Sequence, residues 1–81
     1  MDDFEFDYCK LLGKIKEVCG TQAVFAIRMG MALSGLSARL HNKQEFDARE
    51  IWRACEILDI AIYDIPVYFF SAKVQKHEQT V

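Results

Sequence analysis

The sequence predicts an all-α fold of four to five short helices, and three observations predict it. Apolar residues recur at helical spacing in each apolar segment, and nowhere do they alternate as in a half-buried strand. Capping and turn residues fall between those segments: Gly20, Thr21, Gly30, Asp47 with Glu50 three positions on, and Asp64 before Pro66. Residues 21–40 have the layout of a helix-turn-helix.

The first helix is expected from Asp7 to Cys19, with Tyr8, Leu11, Leu12, Ile15, Val18 and Cys19 on one stripe. Gly20 stands just past its end, where a left-handed residue closes a helix. The Thr21 hydroxyl can then cap a second helix running to Met29. Ala26 is the small residue against which another helix can lie, and Gly30 supplies the positive φ of the turn. A third helix follows from about Ala32 or Leu33 to Leu40, so that Phe25, Met29, Met31, Leu36 and Leu40 face inward. Asn42, Lys43 and Gln44 form a loop. Asp47 then caps a fourth helix that buries Ile51, Trp52, Ala54, Cys55 and Leu58.

Asp64-Ile65-Pro66 reads as the start of a fifth helix, from about Ile65 to Lys73. It carries Val67, Tyr68, Phe69, Phe70 and Val74, more apolar surface than a short helix buries beneath itself. Closing the bottom of the core and forming a homodimer or partner contact through Val67, Tyr68, Phe69 and Phe70 both account for it. Residues 1–81 are expected to form one domain, helical over 6–74, with a polar tail at 75–81 that frays.

Composition excludes several classes. The chain is 52% hydrophobic with 27% charged residues, which suits a globule rather than a disordered segment. No apolar run approaches the ~18 residues of a spanning helix, and Met1-Asp2-Asp3-Phe4-Glu5 is acidic where a secretory leader is basic. A cytoplasmic location is expected. Cys9, Cys19 and Cys55 lack metal-ligand spacing, and His41 and His77 stand apart from them, so all three read as reduced, mostly core-facing thiols with no metal. No paired carboxylates, nucleophile with a base, or phosphate-binding loop stands out; the chain reads as a non-enzyme with no cofactor.

A net charge of −2 argues against a protein held to nucleic acid by charge alone, but its distribution is uneven. Residues 21–43 contain Arg28, Arg39 and Lys43 and no acid, as contact with the phosphates of double-stranded operator DNA requires.

Residues 21–40 resemble the helix-turn-helix of lambda-type phage repressors and the Cro-like family. Gln22 opens the second helix, Ala26 and Gly30 take the small positions, and Met29-Gly30-Met31 precedes Ser34-Gly35-Leu36. Phe6-Asp7-Tyr8, Gly20-Thr21-Gln22, Ala54-Cys55-Glu56-Ile57-Leu58 and Ile65-Pro66-Val67-Tyr68-Phe69-Phe70 extend the resemblance to small Cro-like proteins of temperate phages and prophages of Gram-positive bacteria, of Cro or modulator-of-repression type. It implies a five-helix, lambda-repressor-like domain that regulates transcription. It further implies that Gln22 and Asn42 bind phosphates, that Ser34 reaches a base edge and that Gly35 lets the helix approach a thymine methyl. Thr21, Leu33, Ser37, Ala38, Arg39 and Lys43 complete the expected DNA-contacting set.

Two positions depart from the pattern. Ala32 stands where many members place a capping serine, and Leu33 replaces a polar base-reading residue. An exposed leucine can contact only a methyl group. The leading expectation is a sequence-specific DNA-binding regulator of Cro type; the alternative is an antirepressor or co-repressor that binds the phage repressor protein through the helix-turn-helix or the fifth helix.

Overall fold

The computed structural model describes residues 5–73, and among these the fold is all-helical, as the sequence predicts. Its helices are α1 (Cys9–Cys19), α2 (Gln22–Met29), α3 (Leu33–Leu40), α4 (Ala48–Leu58) and α5 (Ile65–Phe69), with a 3-10 turn at Ile62–Asp64. The frayed tail at 75–81 and the place given to Val74 lie outside the described residues.

Four helix ends form where their caps stand, whereas Asp64, expected to cap α5, makes no side-chain cap bond there. Gly20, at φ 84°, closes α1 by donating its N–H to the Lys16 carbonyl. The Thr21 hydroxyl accepts from Val24 N–H at 3.1 Å, satisfying one of the donors that the first turn of α2 leaves over. Gly30 takes the left-handed conformation at φ 75°, and its N–H returns to the Ala26 and Ile27 carbonyls. Asp47 and Glu50 form a complete capping box: Glu50 N–H donates to the Asp47 carboxylate at 2.8 Å and Asp47 N–H to the Glu50 carboxylate at 3.1 Å. α1 starts two residues later than expected, at Cys9, whose N–H donates to the Asp7 side chain at 2.9 Å.

Leu11, Ile15, Phe25, Leu36, Leu58 and Phe69 are the largest fully buried side chains. Burying each contributes roughly 1.5–3 kcal/mol. A ring of aromatics closes one end, Tyr8 edge-on to Phe46, Phe46 to Phe69, and Phe6 to Phe70, with centroids 5.3–5.6 Å apart.

Four expectations are corrected. Trp52 is 54% exposed, because Ala54, Cys55 and Leu58 already fill the inward face of α4 and Trp52 lies off that face. Leu12 and Val18 are only partly covered, since Leu11 and Ile15 make the narrower stripe that α1 buries. Cys9 is exposed at the start of α1; Cys19 is half-buried and Cys55 buried.

The fifth helix ends at Phe69, not Lys73. The chain after it is drawn away to pair with residues 5–7: Phe6 and Ala72 form an isolated antiparallel bridge, Asp7 N–H donates to the Ser71 carbonyl, and Lys73 N–H to the Glu5 carbonyl. The Ser71 hydroxyl returns to the Val67 carbonyl at 2.9 Å, satisfying a group that a longer helix would have bonded.

Candidate interaction face

The pair α2 and α3 carries most of the side chains singled out from sequence. Gly30, Met31 and Ala32 join the two eight-residue helices, which bend through 107° at that break. Phe25, Ala26 and Met29 turn inward from α2 and Leu36 and Leu40 from α3, while Met31 is half-buried in the turn. The remaining faces are left at the surface. Ala32 offers no side-chain cap, as its methyl group dictates, so α3 begins with no side chain bound to its first N–H groups.

Ser34, Ser37, Ala38, His41 and Lys43 line one shallow groove along α3. His41 is fixed there by donating from Nδ1 to the Ser37 carbonyl at 2.8 Å. Leu33 opens α3 and is 48% exposed. Thr21 and Gln22 sit at the other end of α2, in a separate groove with Leu12, Lys16 and Gly20. Val67 and Phe70 are exposed and Tyr68 is half-buried, but Phe69 is 1% exposed inside the core and is thereby withdrawn from any surface contact.

Two residues expected at the DNA phosphates and bases are bound within the molecule instead. Arg39 donates from Nε and Nη2 to the two oxygens of Glu50, both at 2.9 Å, and from Nη1 to the Gly35 carbonyl at 2.8 Å. Its side chain is 13% exposed. The hydrogen bonds to Glu50, opposed in part by burial, raise the guanidinium pKa above its ordinary value. All three ends of the fork are therefore occupied, and its charge is paired. Asn42 sits at φ 62° and clamps the N-terminal segment: its Oδ1 accepts from Phe6 N–H at 2.8 Å and its Nδ2 donates to the Phe6 carbonyl at 3.0 Å. Its amide acts as a short piece of neighbouring strand. Gly35 does lie close to other atoms, but to this protein's own: a Cβ there would meet Arg39 Nη1 at 3.3 Å.

Sequence reasoning passed over Ile27, which is 76% exposed on α2. Val24, three residues earlier on the same side of the helix, is also partly exposed. The signal was present, since burial of Phe25, Ala26 and Met29 forces positions 24, 27 and 28 outward. Exposed apolar side chains thus stand on both helices, Val24 and Ile27 on α2 and Leu33 on α3, and Arg28 and Lys43 are exposed as well.

Among the described residues no group of three or more His, Cys, Asp or Glu side chains is placed to hold a metal ion. No single described helix is long and apolar enough to cross a membrane.

Residues 4–72 match a family described as a protein of unknown function, DUF739. The chain is also similar to the modulator of repression (MOR) of the temperate bacteriophage TP901-1 from Lactococcus lactis, known from a solution structure. The two are 47% identical, with a TM-score of 0.74, over 86% of this chain and 95% of that one. No curated protein matches significantly.

Proposed function

We propose that this chain, which belongs to the DUF739 family, is a temperate-phage regulator that acts by binding the phage repressor protein through the exposed face of α2 and α3. The observation that carries the reading is the chemistry of that face. Leu33 stands exposed on α3 where readout of a base edge calls for a polar group, Ile27 is exposed on α2, and Arg39 is folded back onto Glu50. Apolar groups flanked by few charges suit burial against protein. Similarity to a modulator of repression over nearly the whole chain supports the same partner.

The test is a calorimetric titration of the chain with the repressor of its own phage and, separately, with operator DNA. The expected result is a complex with the repressor, weakened at least about tenfold by Leu33→Glu, which places a charge in a desolvated contact. Sequence-selective binding of operator DNA by the chain alone, with no binding to the repressor, would overturn the proposal.

A second reading keeps direct operator binding as a Cro-type homodimer. Its support is the angle between α2 and α3, within the range of helix-turn-helix motifs, and the groove of Ser34, Ser37, Ala38, His41 and Lys43 on the outer side of α3.

A further inference from the structure

We propose that Glu50 is a specificity determinant: by holding Arg39 in a paired, largely buried fork, it denies α3 a cation for DNA phosphate and leaves that face to a protein partner. The inference rests on the reading of α2 and α3 as the contacting face, but its test reads DNA affinity and does not use the repressor. Failure of one is therefore distinguishable from failure of the other.

The geometry supports sequestration. A guanidinium binds phosphate through the same parallel N–H pair that Glu50 occupies at 2.9 Å and 2.9 Å. The third donor, Nη1, is used by the Gly35 carbonyl one turn back along α3. Glu50 is itself held rigidly. Its Oε1 also accepts from Asp47 N–H, and its own N–H donates to the Asp47 carboxylate, so the capping box of α4 fixes the carboxylate that fixes Arg39. Both side chains are shielded, 13% and 20% exposed, which keeps salt from screening the pair as it would at the surface. Of the three Arg and Lys residues between 21 and 43, the pair removes one from any phosphate.

The position allows a discriminating substitution. Glutamine serves at the third position of a capping box as well as glutamate does, so Glu50→Gln retains the helix start while removing the charge that neutralises Arg39. Nonspecific duplex DNA binding is measured by fluorescence anisotropy across a salt series for the wild type, Glu50→Gln, Arg39→Ala and the double variant, with helicity checked by circular dichroism. One added phosphate contact steepens the salt slope by about one and strengthens binding about tenfold near 0.1 M salt. Glu50→Gln is expected to show that gain. The double variant is expected to lose it, because a gain from general loss of negative charge persists without Arg39 and a gain from its release does not. The double variant removes both charges of the pair and is therefore expected to bind DNA at the wild-type value, a result that does not depend on Glu50→Gln folding, whereas Arg39→Ala alone leaves the Glu50 carboxylate unpaired and is expected to weaken binding. Equal gains from Glu50→Gln with and without Arg39, no gain in a folded Glu50→Gln, or binding by the double variant weaker than the wild type would each overturn the proposal.

Discussion

Replacing Asn42 separates the role the structure gives it from the phosphate contact that its position after α3 suggests. In Asn42→Ala the two hydrogen bonds to the Phe6 backbone, 2.8 and 3.0 Å long and partly buried, disappear. Each is worth about 1 kcal/mol net. The residue also sits at φ 62°, a left-handed conformation that asparagine tolerates and that costs alanine roughly 1–2 kcal/mol. The sum is a loss of about 3–4 kcal/mol, a fall of roughly 12–32 °C in Tm for a chain of this size. Asn42→Gly loses the same hydrogen bonds without the left-handed penalty, so it should lose only about 2 kcal/mol. Urea unfolding of the three proteins, analysed at a common m-value, measures both differences. If the alanine and glycine variants both unfold within about 0.5 kcal/mol of the wild type, the clamp is not what holds residues 5–7 in place; equal losses from the two would refute the left-handed penalty alone.

Gly30→Ala should cost about 1–2 kcal/mol in thermal unfolding from backbone strain alone, because at φ 75° the new Cβ meets Arg53 Nη1 at an ordinary 3.6 Å; a neutral result would mean that the turn relaxes. Ala26→Leu adds bulk at a fully packed site on α2 and should lose about 1–3 kcal/mol or the fold itself, seen as a lowered or absent cooperative transition. Iodoacetamide at neutral pH should label the exposed Cys9 first and Cys55 only on unfolding, since burial both hides the Cys55 thiol and raises its pKa, lowering its thiolate fraction; peptide mapping by mass spectrometry checks the order.

Local signals carried most of the fold. Gly20, Thr21, Gly30 and the Asp47–Glu50 box lie within a few residues of the ends they set, so α1 to α4 were legible to within two residues. What was not legible depends on partners distant in sequence. The early end of α5 is set by pairing of Ser71 and Lys73 with Asp7 and Glu5, more than 60 residues away. Trp52 has helical spacing with Cys55, yet only the packed arrangement decides which residues of a stripe win the core. The candidate site shows the same division. Exposure of Leu33 and the apolar departure it represents could be read from sequence. The diversion of Arg39 to Glu50 and of Asn42 to Phe6 could not, because each side chain was equally able to face outward until its partner, 11 and 36 residues away, was in position.

Binding of the repressor on α2 and α3 is read from where a partner touches this chain. A 15N-labelled sample titrated with the phage repressor, and in parallel with operator DNA, reports the contact through backbone amide shifts. The repressor is expected to shift Val24, Ile27, Leu33, Ser34 and Ser37 and to leave Val67 and Phe70 unmoved, while operator DNA at the same concentration produces no comparable set. Shifts at Leu33 to Ser37 with operator DNA alone, or repressor-induced shifts confined to Val67 and Phe70, would contradict that expectation.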